Sequence, residues 1–206
     1  MARRPYVVVH VGVSVDGATT GFQPDVARFY QLAQTWTEDL TLAGADTILA
    51  QEEALAQAEG PGPAEGGPLL AVVDGRGRVS QWEALRDAGH WSDVVALHCA
   101  STPERPPRRQ VRELVTGADR VDLADALRTL GRDDGVRVVR VDSGGGLTGA
   151  LMTAGLVDEI SLLVHPCLAG ERATRFWYGS APAAASLTLA TAQSLPDGLV
   201  WLRYHR

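Results

Sequence analysis

The chain has 206 residues, of which 45% are hydrophobic and 21% charged, an ordinary balance for a globular protein. Its formal net charge of −6 argues against sequence-independent binding to nucleic acid, because a phosphate backbone requires a basic protein face. No apolar run reaches the length of about eighteen residues that a membrane-spanning helix needs. Cys99 and Cys167 lie far apart without metal-ligand spacing, which predicts free thiols, no metal site and a cytoplasmic protein.

Segments with strand and helix patterns alternate along the chain. Strands are predicted at 6–13, 45–50, 69–73, 94–99, 138–141, 156–164, 186–194 and 199–204, with a minor strand at 119–121. Helices are predicted at 25–40, 82–88, 122–130 and 147–154. This order predicts a single α/β domain over residues 1–206. Its mixed, mostly parallel sheet of about eight or nine strands would be flanked by helices and end in a C-terminal β-hairpin.

A glycine-rich turn, Ser143-Gly144-Gly145-Gly146, separates the apolar strand Val138–Val141 from a helix that begins near Leu147. Glycines at this place leave backbone N–H groups uncovered, and a helix N-terminus carries partial positive charge. The pattern therefore predicts a site for an anion, most often a phosphate. The alternative is a tight connection between two packed elements.

Ligands of such sheets bind beyond the carboxyl ends of the strands, so the turns at 14–17, 50–53, 74–78 and 142–147 are expected to gather there. Asp16 is a candidate site residue, although it could also be a turn residue that bonds its own backbone. Arg76 and Arg78 could be ligands or solvated loop charges. The acidic pair Asp158–Glu159 is predicted to be structural, as are three histidines of the strands: His10, His98 and His165.

Five segments carry a family likeness in this order: SVDG at 14–17, GADTILA at 44–50, VVDGRGR at 72–78, DSGGGLTGALMTAGLVDEISLLVHPCLAG at 142–170 and DGLVWLRY at 197–204. The chain resembles the reductase domain of the riboflavin-biosynthesis deaminase–reductases, a branch of the dihydrofolate-reductase-like fold. The likeness covers nearly the whole chain, and the block at 142–170 is its most specific part. The deaminase half has no counterpart here, so the chain resembles a stand-alone reductase.

The resemblance implies a homodimeric enzyme that uses NADPH, or NADH, to deliver hydride to a carbonyl or imine carbon of a small heterocyclic or sugar-derived substrate. Asp16 is implied as a catalytic residue, with an ordered water as the alternative proton donor. The substrate would lie beside Ser14, Gly17 and Ser143. The implied cofactor-binding residues fall in two turns: Asp74, Arg76 and Arg78 near the adenosine, and Gly144, Gly145, Gly146 and Leu147 at the phosphates.

The sequence departs from the family pattern at two places. Ser143 stands where the family usually has a glutamate. The family's second phosphate turn, a Gly-x-x-Thr after a strand, corresponds to Gln51-Glu52-Glu53-Ala54 if the strand lies at 45–50. Two carboxylates there would repel a phosphate. NADPH stays the expected cofactor, and the acidic turn is an argument for NADH as the alternative. It also keeps open a second hypothesis, a ligand-binding or catalytically diverged member of the fold that no longer uses NADPH.

Overall fold

The computed structural model describes residues 4–57, 60–104, 111–179 and 186–206. The strands, in chain order, are β1 Tyr6–Ser14, β2 Leu40–Gly44, β3 Leu69–Val73, β4 Asp93–His98, β5 Arg112–Val115, β6 Val138–Val141, β7 Glu159–His165, β8 Thr188–Ser194 and β9 Val200–His205. The helices are α1 Val26–Ala33, α2 Ala45–Leu49, α3 Glu52–Gln57, α4 Trp82–Asp87, α5 Leu123–Asp133 and α6 Gly145–Thr153.

The nine strands form one sheet in the order β5-β4-β3-β2-β6-β1-β7-β9-β8. Strand β1 is parallel to β7, and β2, β3, β4 and β5 are parallel to their neighbours in turn. Strand β9 is antiparallel to both β7 and β8. The predicted mostly parallel sheet with a C-terminal hairpin is therefore confirmed. Within the described residues no helix is long and apolar enough to cross a membrane.

The strand predicted at 45–50 is wrong. The strand is β2, Leu40–Gly44, and Ala45–Leu49 is a helix. Gly44 is the extended N-cap of α2, with φ −91° and ψ 151°. The preceding helix, predicted to reach residue 40, ends at Ala33 with Asp25 as its N-cap. Leu40 lies at a helical step from Trp36, yet both residues lie beyond the end of this helix.

Two smaller predictions also fail. Residues 119–121 form no strand, and the edge strand of this side of the sheet is β5. Helix α5 is capped by Asp122 as predicted, but it continues through Gly131 to Asp133. The absent side chain of Gly131 has a packing reason, since an added Cβ would lie 3.2 Å from Pro5 Cδ.

The chain divides into two compact units, each with its own core. The first unit comprises Glu38–Val139 together with Arg4 and Pro5. Its core gathers apolar side chains of β2, β3, β4, α2 and α4 around Trp82, which is 1% exposed. The indole N–H of Trp82 donates to the Val79 carbonyl at 2.9 Å, so the largest side chain of this core leaves no buried donor unpaired.

The second unit comprises Tyr6–Thr37 and Arg140–Arg206. Its core contains the valines of β1 and apolar residues of α6 and β7, among them Leu151, Ile160 and Leu163. The predicted structural role of Asp158 and Glu159 agrees with their contacts. The Asp158 carboxylate accepts from the Val7 N–H at 2.8 Å, and the buried Glu159 accepts from Tyr6, Trp36 and Arg203.

His10 is a buried core residue, as predicted. Its Nε2 lies 3.0 Å from the Phe29 carbonyl, which can only accept, so the proton of the neutral ring is on Nε2. Nδ1 then accepts from the Ser161 hydroxyl at 2.9 Å, and that hydroxyl accepts from the Trp201 indole at 2.8 Å. Burial lowers the pKa of His10 from 6.5 to about 4, which keeps the ring neutral near neutral pH.

Candidate active site

The turn after β1 is fixed by the carboxylate of Asp16. Its Oδ1 accepts from the Ser14 hydroxyl at 2.5 Å, and the two oxygens accept from the backbone N–H groups of Ala169 and Gly170 at 3.1 and 3.0 Å. The Ser14 hydroxyl also accepts from the Ala18 N–H at 3.0 Å. Asp16 therefore joins the turn at 14–18 to the segment that follows β7.

These hydrogen bonds decide the charge of Asp16. The Ser14 hydroxyl, followed by the Ala169 and Gly170 N–H groups, lowers the pKa of Asp16 from 3.8 to about 2. All of these donors stabilise the ionised form, so Asp16 is a carboxylate near neutral pH and carries no proton to give. Asp16 itself is placed to hold the turn.

An aromatic turn at 176–179 contacts both predicted site segments of the second unit. The Trp177 N–H donates to the Gly17 carbonyl at 3.3 Å, and a Cβ on Gly17 would lie 3.7 Å from the indole ring. Gly17 has φ +80°, a conformation that favours glycine. On the other side, a Cβ on Gly145 would collide with the backbone of Phe176 and Gly179. The turn thereby contacts both the Gly17 segment and the Gly145 segment.

The three glycines before α6 have different surroundings. Gly145 is buried, and its role is the close approach just described. Among the described residues, no atom lies within 4 Å of a Cβ added to Gly144 or Gly146, so none of them fills the space beside these two glycines. Gly144 is the N-cap of α6, the first turn of that helix holds no acidic residue, and Leu147 is buried beneath it. The predicted phosphate site at this helix start fits the open side of Gly144 and Gly146.

The turn at 74–78 belongs to the first unit. The Asp74 side chain is 1% exposed, and its two oxygens accept from the backbone N–H groups of Arg78 and Val79 at 2.9 Å each. The buried Asp74 carboxylate therefore stabilises the backbone conformation of this turn. The two predicted arginines, Arg76 and Arg78, are exposed and carry its positive charge.

The first unit has a second turn, Gly44-Ala45-Asp46-Thr47. The strand predicted at 45–50 concealed it, because the strand in fact ends at Gly44. This turn directly follows β2, and it has the Gly-x-x-Thr pattern that the resemblance requires after this strand. Gly44 pairs with Val73 in the parallel ladder, so this turn and the turn at 74–78 leave the same edge of the sheet. The Gly-x-x-Thr pattern is visible in the sequence as the first four residues of GADTILA at 44–50.

The acidic residues at 51–54 consequently do not occupy the phosphate turn. Glu52 begins α3, and its Oε1 accepts from the Ser80 N–H, the Ser80 hydroxyl and the Gln81 N–H at 2.8, 2.8 and 3.1 Å. This carboxylate holds the backbone that leads into α4. The argument from Gln51-Glu52-Glu53-Ala54 against a phosphate-bearing cofactor no longer applies.

Comparison with known proteins agrees with these features. Residues 5–201 match the family model of the RibD C-terminal domain. A 2,5-diamino-6-ribosylamino-4(3H)-pyrimidinone 5′-phosphate reductase of Archaeoglobus fulgidus is 31% identical over 192 residues, covering 82% of this chain and 84% of the relative. The reductase of the same name from Methanothermobacter thermautotrophicus is 27% identical over 183 residues, covering 84% and 82%.

Solved structures give the same fold at low identity. A pyrimidine reductase-like protein of Corynebacterium diphtheriae has a TM-score of 0.74 at 17% identity, covering 98% of this chain and 91% of its own. A dihydrofolate reductase of Enterococcus faecalis has a TM-score of 0.53 at 10% identity, covering 98% and 96%. The chain thus belongs to the RibD C-terminal domain family and is a reductase with the dihydrofolate-reductase-like fold.

Proposed function

We propose that this reductase uses NADPH to reduce a ribosylaminopyrimidine phosphate, the substrate class in the names of its two archaeal relatives. The opened sugar of such a substrate presents an imine or carbonyl carbon, and its reduction gives a ribityl chain. The observation that carries this proposal is the meeting of the Gly17 and Gly145 segments at the aromatic turn 176–179. This contact supports a site in which the turn after β1 borders the start of α6, where a phosphate could bind.

The residues of the second unit have separable tasks in this proposal. The backbone N–H groups at the start of α6 would donate hydrogen bonds to a phosphate beside Gly144 and Gly146. Ser14 and Gly17 would border the substrate, with Asp16 keeping both in place through the Ala169 and Gly170 N–H groups. When bound, the nicotinamide supplies the hydride. Positioning of this kind accounts for a large share of catalysis in hydride transfer.

The proton that completes the reduction goes to the heteroatom of the imine or carbonyl group. An ordered water supplies it in our proposal, because the ionised Asp16 has none to donate. Ser143 lies where the family usually has a glutamate, and Asp142, one residue earlier, forms an ion pair of 3.2 Å with the buried Arg140. We propose Ser143 as a substrate contact, which leaves Asp142 in a structural role.

Turnover tests the proposal. The purified chain is mixed with NADPH and 2,5-diamino-6-ribosylamino-4(3H)-pyrimidinone 5′-phosphate, and NADPH loss is followed by absorbance. Mass spectrometry then compares substrate with product. We expect substrate-dependent NADPH loss and a product heavier by two hydrogens. If the nucleotide binds but this substrate is not reduced, the substrate assignment is wrong; if neither NADPH nor NADH binds at millimolar concentration, the cofactor assignment is wrong as well.

We further propose that the chain acts as one reductase domain in a cytoplasmic homodimer. Paired residues of β7, β9 and β8 share a sheet face, and this face is apolar yet partly exposed: Leu162, Val164, Val200, Leu202, Tyr204, Leu189 and Ala192. A second copy would cover it. Leu189→Glu should then shift the mass measured by light scattering toward the monomer. Val115→Glu, at a residue of similar exposure on the edge strand β5, is the matched control.

A further inference from the structure

The first unit contains an ion pair between its two ligand-side turns. The Arg78 guanidinium donates to Asp46 Oδ1 at 2.6 Å, and the two side chains are 41% and 60% exposed. Asp46 lies in the Gly-x-x-Thr turn after β2, and Arg78 ends the turn after β3. The pair therefore spans the edge of two parallel neighbouring strands, where ligands of this class of sheet bind.

The two partners have opposite preferences among nicotinamide cofactors. An arginine binds a 2′-phosphate through two parallel N–H donors, whereas a carboxylate accepts from a free ribose 2′-hydroxyl and repels a phosphate. In this chain the arginine Arg78 and the carboxylate of Asp46 are in contact with each other. The remaining cation of the turn, Arg76, is exposed and forms no ion pair with any described residue.

We propose that Asp46 determines cofactor specificity by weakening the preference for a 2′-phosphorylated nucleotide. The inference rests on the proposed function, in which a nicotinamide cofactor binds. A 2′-phosphate that reaches Arg78 must displace the Asp46 carboxylate and approach its negative charge. Because the pair is exposed, the displacement is cheap, so Asp46 lowers NADPH affinity without excluding it. Glu52 and Asp74 do not share this role, since backbone N–H groups hold both carboxylates.

Binding measurements on the full chain test this role. Dissociation constants are measured by fluorescence for NADPH and NADH, and by calorimetry for 2′,5′-ADP and 5′-AMP, which carry only the adenosine end. Asp46→Asn should tighten NADPH and 2′,5′-ADP roughly five- to tenfold and leave NADH and 5′-AMP within about twofold. Asp46→Ser is a second variant, and thermal melts show whether both fold. Asp133→Asn is the matched control, because Asp133 forms an exposed 2.6 Å pair with Arg132.

Arg78 is the partner through which the effect must act. Arg78→Gln should weaken NADPH and 2′,5′-ADP, and the Asp46→Asn gain should disappear when both substitutions are combined. The inference is overturned if Asp46→Asn and Asp46→Ser leave the ratio of NADPH to NADH affinity unchanged, or if the gain persists without Arg78. If the natural chain binds neither cofactor, the cofactor proposal falls and this inference with it. If the natural chain binds both cofactors but the variants leave the ratio of NADPH to NADH affinity unchanged, the proposed function is retained and the role of Asp46 is rejected.

Discussion

Gly145 and Gly179 approach each other so closely that neither position has room for a Cβ atom. A Cβ on Gly145 would meet the Gly179 backbone, and a Cβ on Gly179 would meet the Gly145 carbonyl. Gly179 also has φ +59°, where side chains are strained. Among the described residues, none lies within 4 Å of a Cβ added to Gly146, one residue further along the helix. Neighbouring glycines of one motif therefore have different surroundings.

Alanine at these positions should separate the two roles. Gly145→Ala should destabilise the protein by about 2 kcal/mol or more, because the methyl group forces the backbone of 176–179 away. Gly146→Ala should keep or raise stability by about 1 kcal/mol, since alanine favours a helix, while weakening NADPH binding about tenfold or more. Urea melts and NADPH titrations of both variants measure this. A Gly146→Ala protein with unchanged NADPH affinity would contradict a phosphate site here.

Asp16 should act through position and not through a proton. Asp16→Asn should lower kcat/KM about tenfold, because an amide has one acceptor oxygen and cannot accept from both the Ala169 and Gly170 N–H groups as the two carboxylate oxygens do. The pH profile of kcat/KM should keep its shape from about pH 5 to about pH 9, since the pKa of Asp16 is about 2. A titrating limb that disappears in the Asn variant would show that Asp16 is the proton donor after all.

The same pKa fixes the sign of a stability effect. The folded pKa of Asp16 is lowered from 3.8 to about 2, so its hydrogen bonds stabilise the protein above about pH 4. That stabilisation should be lost as the pH falls from about 4 to about 2, and Asp16→Asn should reduce the loss.

Glu52 should matter for folding and not for the cofactor. Glu52→Ala removes the acceptor of the Ser80 and Gln81 N–H groups and should cost about 1–2 kcal/mol of unfolding free energy in urea melts. The exposed neighbour Glu53 provides the control, since Glu53→Ala should change stability by no more than about 0.5 kcal/mol. NADPH affinity should be the same in both variants. A gain of NADPH affinity on removing Glu52 would restore the idea that this segment repels the phosphate.

His10 should make the stability of the protein depend on pH in the mildly acid range. Because its folded pKa is about 4 and its ordinary value 6.5, the unfolded chain binds the proton more readily between these values. Stability should therefore fall as the pH drops from about 6.5 to about 4, by on the order of 3 kcal/mol at most. Urea melts across this range should show a shallower pH dependence for His10→Asn. His90→Asn, at an exposed histidine, should retain the natural slope.

Several strands of the sheet were predictable because they are apolar runs, with valine prominent in β1 and β6, whereas the segment around Gly44 was ambiguous. Leu40–Gly44 and Ala45–Leu49 are both short and apolar, and periodicity cannot distinguish a buried strand from a buried helix at five residues. Gly44 ends the strand and is the N-cap of the helix that follows it. Strand β5 escaped notice for another reason: as an edge strand with exposed, charged residues, it lacks the apolar pattern of a central strand.

The site residues show the same contrast between what a local sequence pattern predicts and what it does not. Their positions at strand ends followed from chain order, but their contacts did not. That Asp16 would be held by the N–H groups of Ala169 and Gly170, or Arg78 by Asp46, depends on pairings between distant segments that no local pattern reveals. The packing role of Gly145 likewise depends on residues 176–179, more than thirty positions further along the chain.

Hydride transfer is the central claim, and isotope labelling tests it most directly. The chain is supplied with NADPH carrying deuterium at the transferred position of the nicotinamide, together with the ribosylaminopyrimidine phosphate, and the product is analysed by mass spectrometry and NMR. We expect one deuterium on the carbon of the new ribityl chain that was the imine or carbonyl carbon. A product without deuterium, or an unreduced substrate in the presence of bound NADPH, would contradict it.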